Sequence, residues 1–158
     1  MYTDKGNYDK AIACFEQAIE LKPDDATAYY YMGAAYTRKG NDEKAIAYYE
    51  KAIELKPDYA EAYVNMGGVY GLKGNFNKAI AYFEKAIKLK PDYAEAYYGM
   101  GLLYGSKGNF NKALTCHAKA VKLKPDYAEA YNGMGRAYQY LGKKGKANAC
   151  FKKASMLK

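Results

Sequence analysis

Apolar positions along this chain recur in a fixed order. From residue 60 they fall at Tyr63, Met66, Gly67 and Tyr70, then at Ala79, Phe83 and Ala86. Steps of three and four residues put each set on one face of a helix. The order repeats every 34 residues, marked by Pro23, Pro57, Pro91 and Pro125 and by Gly6, Gly40, Gly74, Gly108 and Gly142. A strict period of this length means one supersecondary unit used several times.

Each unit is predicted to be a pair of helices. Asp58, Asp92 and Asp126 follow the prolines, and each has a Glu three residues on (Glu61, Glu95, Glu129). That is the spacing of a capping box, which would start the first helix. Gly40, Gly74 and Gly108 would end it in the left-handed conformation glycine tolerates. Asn41, Asn75 and Asn109 follow and can cap the second helix. That helix must stop at Lys-Pro-Asp, because proline cannot continue it and disfavours the α region in the residue before it.

The unit resembles the tetratricopeptide repeat (TPR). The columns that carry the likeness in the first full unit are Tyr29, Met32, Gly33, Tyr36, Ala45, Tyr49, Ala52 and Pro57. The third unit gives Tyr97, Met100, Gly101, Tyr104, Ala113, His117, Ala120 and Pro125. The last gives Tyr131, Met134, Gly135, Tyr138, Ala147, Phe151 and Ala154. Two departures stand out: Tyr replaces the first Trp of the pattern, and His117 replaces an aromatic ring. The resemblance implies an all-α fold, an α-solenoid of antiparallel helix pairs stacked in a right-handed superhelix. One array would span 1–158, with a partial repeat at 1–25 and repeats at 26–59, 60–93, 94–127 and 128–158. The small columns (Gly33 and Ala45, and their counterparts) would let paired helices approach closely. A single pair cannot bury its apolar face, so the pairs must stack.

The two ends differ from the middle. Tyr2 falls in the column of Tyr36, so Met1–Lys5 reads as the end of a first helix and only a second helix, at about 7–21, is complete. Ala11, Phe15 and Ala18 would then lack a partner helix, as in a piece of a longer chain or one that expects a partner surface. At the other end Asn148 and Ser155 replace the isoleucine columns of earlier repeats, as a polar terminal face requires.

Charge adds a direction. The net +8 is spread unevenly: residues 1–25 hold 3 basic and 6 acidic side chains, and residues 128–158 hold 7 and 1. Lys143, Lys144, Lys146, Lys152 and Lys153 form a basic end, joined by Lys158. An acidic head and a basic tail allow head-to-tail self-association, and exchange of the unpaired N-terminal helix is a variant of it. The basic end could also attract an anionic surface, but no nucleic-acid motif accompanies it, so nucleic-acid and membrane partners are not expected.

The resemblance implies a concave surface lined by first helices, which in the family commonly holds a peptide or helix of another protein. By periodicity this face carries Tyr30, Tyr31, Ala34 and Arg38, then Val64, Asn65 and Gly68, then Tyr98 and Leu102, then Asn132 and Arg136. Gly68, Gly71, Gly99, Gly105 and Gly133 are expected there too, as places for close approach by a partner. The clamp that TPR domains use for chaperone tails is missing: Asn65 matches it, but Tyr30, Ala34, Glu95 and Gly99 fill the other columns.

Several functions are excluded or disfavoured. With a single His and no P-loop, G-x-S-x-G or H-E-x-x-H, no enzyme is expected, nor any metal or cofactor. Cys14, Cys116 and Cys150 share a column without C-x-x-C spacing, and three cysteines suit a reducing compartment. No run of 18 apolar residues and no leader-like segment occurs, so a cytoplasmic location is expected. The function expected is a non-enzymatic protein–protein interaction scaffold.

Overall fold

The computed structural model describes residues 4–157, and among these it has nine helices and no strand. They are α1 (Asp4–Leu21), α2 (Ala26–Arg38), α3 (Asp42–Leu55), α4 (Ala60–Leu72), α5 (Phe76–Leu89), α6 (Ala94–Ser106), α7 (Phe110–Leu123), α8 (Ala128–Tyr140) and α9 (Lys144–Met156). Pairs α2/α3, α4/α5, α6/α7 and α8/α9 pack most extensively, and each pair packs on the next. First helices also touch their counterparts in neighbouring repeats (α2 with α4, α4 with α6, α6 with α8). Among the described residues the second helices make no comparable contact with each other. The stack is therefore tighter along its first helices, which puts them on the concave side of an all-α solenoid.

The turn inside each pair forms as the residues predict. Gly40, Gly74 and Gly108 adopt φ of 73°, 75° and 73°. The chain then folds back, and the Asn41 amide donates to the Tyr36 carbonyl at 2.9 Å. The side-chain oxygens of Asn41, Asn75 and Asn109 accept from the amides of Lys44, Lys78 and Lys112 at 3.1–3.3 Å.

The other helix start is different. Asp58, Asp92 and Asp126 do not cap; the N-cap residues are Tyr59, Tyr93 and Tyr127, with no side-chain cap bond. The helix begins one residue later than a capping box needs, because the tyrosine is drawn inward. Tyr59 is buried, its ring 4.9 Å from that of Tyr30. Glu61 and Glu95 are thereby freed and reach Lys90 and Lys124 of the following turn at 3.9 and 3.4 Å. In the first full repeat Asp25 takes the tyrosine's place and does cap α2, accepting from Thr27 N at 2.9 Å.

The expected start of the first complete helix also shifts. Met1–Thr3 lie outside the described residues. From Asp4 onward α1 runs straight through Gly6, so Gly6 is not a turn glycine.

The core is a column of rings held between glycines. Phe83 on α5 lies between Gly67 and Gly99, where an added Cβ would stand 3.0 and 2.4 Å from its ring atoms. His117 lies likewise between Gly101 and Gly133. Gly99 and Gly133 are thus packing glycines for the preceding repeat's ring, not open positions in the groove. Ala45, Ala79, Ala113 and Ala147 are buried beside these rings, whereas Ala11 and Ala18 are half-buried. Asn148 and Ser155 are exposed on α9, the polar face expected there.

Candidate partner groove

Helices α1, α2, α4 and α6 enclose a concave groove of about 980 Å³. Tyr30, Tyr31, Ala34, Arg38, Val64, Asn65, Gly68, Tyr98 and Leu102 all line it. Asn132 and Arg136, on α8, lie outside its wall. α1 closes the other end with Tyr8, Ala11 and Phe15.

The wall has a fixed part and a free part. Tyr30 is half-buried, 5.2 Å from the Tyr31 ring and 5.9 Å from that of Tyr49. Asn65 Nδ2 donates to the Tyr30 hydroxyl at 3.1 Å. Tyr98 rests against His117 and Tyr127 at 5.5 and 5.0 Å. Burial pushes both phenols up, and that of Tyr93 to about 12, where nearby Glu61 adds to the effect. These rings therefore stay neutral. They offer hydroxyls and apolar faces, not charges.

Tyr31 and Leu102 are free, at 48% and 43% exposure. Tyr31 is steadied by Phe15, stacked at 5.5 Å and 10°. Between them Gly68 faces open space. Gly71 does not, because a Cβ there would meet Leu103 at 3.0 Å. Arg38 and Glu95 bring one charge of each sign to the lining.

Sequence reasoning missed Tyr8, Phe15, Glu95 and Tyr127. Phe15 was legible in principle, as the member of the ring column whose neighbour is Tyr31. Tyr127 follows from the Asp-Tyr-Ala recurrence once its ring is seen to turn inward.

The basic end lies apart from this groove. Lys143, Lys144, Lys146, Lys152 and Lys153 are all exposed, and Lys158 lies outside the described residues. On the convex side one column of lysines is engaged by tyrosine rings. Lys44, Lys78, Lys112 and Lys146 sit 4.2–5.7 Å from the ring centres of Tyr36, Tyr70, Tyr104 and Tyr138. Such contacts add roughly 0.5–1 kcal/mol each at exposed sites.

His117 is 2% exposed, and its Nδ1 has no hydrogen-bond partner. Burial drives its pKa down to about 4. It is a neutral core ring without a base's access to substrate. Burial also pushes the Cys116 and Cys150 thiols up, away from the reactive thiolate.

Family comparison agrees with this geometry. A family described as "TPR repeat" matches residues 1–40, and one described as "Tetratricopeptide repeat" matches 24–92, 58–126 and 92–155. The chain belongs to the tetratricopeptide repeat family, whose members are typically protein-interaction scaffolds and generally non-enzymatic. Among solved structures it is similar to MamA, with 31% identity and a TM-score of 0.83 over 99% of this chain and 96% of that one. It is also similar to PilW, a type IV pilus biogenesis factor, with 26% identity and a TM-score of 0.87 over 99% of this chain and 72% of that one. A thermophilic TPR protein of Thermus thermophilus matches at 25% identity and a TM-score of 0.79, over 94% and 82%. Comparison with curated protein sequences gives no match. None of the helices described is long and apolar enough to cross a membrane.

Proposed function

We propose that this protein is a non-enzymatic scaffold that holds a segment of another protein in the groove of α1, α2, α4 and α6. The observation that carries this reading is the pair Tyr31 and Leu102, exposed on a concave wall with bare Gly68 between them. Large apolar side chains left free in a concavity, surrounded by rings fixed from behind, are the arrangement of an interface anchor. The occupant that fits is a peptide or helix with apolar side chains one helical turn apart. Neutral phenols would accept its polar edges.

Peptides selected from a random library against the protein test this directly. They should carry apolar anchors, and Leu102→Asp with Tyr31→Ala should weaken them at least about tenfold, a loss of roughly 1.4 kcal/mol. Tyr98→Ala is a poorer probe, because Tyr98 also supports His117 and Tyr127. Unchanged affinity in the double variant would remove the groove from consideration.

A second reading rests on the half-buried Ala11, Phe15 and Ala18 and on the charge gradient. The acidic first block and the basic α9 would join copies head to tail, a heterologous contact that need not close, or copies would exchange α1. Light scattering across salt distinguishes these, since the Debye length falls to about 3 Å at 1 M. Oligomers that dissolve in salt support attraction between ends, and a salt-insensitive dimer supports exchange. A monomer throughout removes both.

A further inference from the structure

The convex side holds a second concavity, and the chain's own repeats show what fits it. In the first two full repeats a tyrosine of the second helix packs on rings of the first helix of its own repeat. Tyr48 stacks on Tyr36 at 5.3 Å and 4°, with Tyr29 at 6.3 Å. Tyr82 stacks on Tyr70 at 5.4 Å and 12°, with Tyr63 at 6.3 Å. In the third repeat the same column holds Cys116. Among the described residues no ring stacks on Tyr97 or Tyr104, the counterparts of the rings that receive Tyr82.

The backbone has not closed over the missing ring. A cleft of about 440 Å³ remains between α5 and α7, floored by Ile87, Tyr97, Met100 and Cys116. Met32 and Met66, in the repeats that carry the tyrosine, are fully buried, whereas Met100 is 9% exposed. The surface inside is apolar, and sulfur atoms from Met100 and Cys116 are good partners for an aromatic edge. Lys88 and Lys119 stand at the rim, with Lys119 5.8 Å from the centre of the Tyr97 ring.

We propose that this cleft between α5 and α7 is a binding site for one aromatic ring of phenol size, the side chain of a Tyr or Phe presented by a second protein. The occupant is identified by Tyr48 and Tyr82, which are tyrosyl side chains in the same scaffold at the same place. A ring entering here would meet Tyr97, as Tyr82 meets Tyr63 at 6.3 Å one repeat earlier. The site faces away from the concave groove, so both can be filled at once.

The probes are p-cresol, which is the tyrosine ring alone, and N-acetyl-tyrosinamide. Amide and methyl NMR spectra of the full chain are recorded with each. Both probes should shift Ile87, Met100 and Cys116, and Cys116→Tyr should remove those shifts while raising the Tm. Tyr82→Cys, which opens the equivalent gap one repeat earlier, should add a second set of shifts at Ile53 and Met66. This variant tests the idea even where Cys116→Tyr folds poorly. Absence of shifts in the parent chain, or equal shifts in Cys116→Tyr, overturns the site. Binding of p-cresol without N-acetyl-tyrosinamide means a cleft for a free aromatic molecule, and overturns the protein-borne ring.

Discussion

Repeats 60–93 and 94–127 share their turn, cap and packing columns, yet treat their central ring differently. Phe83 and His117 occupy the same cradle between two glycines, and both are buried. The phenyl ring carries no polar atom. The imidazole carries Nδ1 into the core without a partner and is held neutral. One column over, Tyr82 fills a gap that Cys116 leaves open. The backbone geometry is nearly indifferent to these exchanges. Stability, pH response and surface recess depend on them strongly. In a repeat array each unit touches only its neighbours, so such differences stay local.

The largest way to separate the two repeats is acid. His117 has a folded pKa of about 4 against an ordinary 6.5. Its contribution is therefore fully present above pH 6.5, falls as pH drops below that value, and is gone below about pH 4. The unfolded chain binds the extra proton throughout that window. The loss amounts to roughly 3 kcal/mol, and His117→Phe should abolish that part of it. Urea unfolding of both forms at pH 7 and pH 4 measures the difference. At pH 7 the same variant should gain about 1 kcal/mol by removing an unsatisfied buried nitrogen.

The glycine cradles come next. A Cβ at Gly101 would stand 2.5 Å from the His117 ring, against 3.0 Å for Gly67 and Phe83. Gly101→Ala should cost about 2 kcal/mol and Gly67→Ala about 1, in the range of core overpacking. Equal costs would mean that the two rings relax alike. Asn75→Ala and Asn109→Ala should each cost about 1 kcal/mol and not differ, because the caps are the same in both repeats. Chemical denaturation would show it. Smallest of all, Glu95→Gln should change stability by no more than about 0.5 kcal/mol, as the pair with Lys124 is half exposed.

The period, the helix pairs, the Gly turns and the Asn caps were legible because each depends on neighbours in sequence. The first-helix start was not. Asp58 and Glu61 have capping-box spacing, but burial of the Tyr59 ring outweighs the cap and moves the boundary one residue. Gly99 and Gly133 look like spare groove glycines in a single repeat. They acquire a packing role only when the preceding repeat's ring is laid against them. Helical phase gathers Tyr31 and Leu102 on one face, and for the same reason could not show that the groove stops short of Asn132 and Arg136. How far a concavity extends depends on the stacking of whole repeats.

Gly68→Arg tests the partner groove most directly, because it separates binding from folding. Gly68 is helical and its Cβ direction is open. Replacing it should raise helix stability by about 0.8 kcal/mol while placing a bulky side chain between Tyr31 and Leu102. Affinity for a selected groove peptide and the Tm are measured on the same sample. Lost binding with an unchanged or higher Tm is the predicted result. Full binding with Arg in that position would contradict a partner segment lying in the groove.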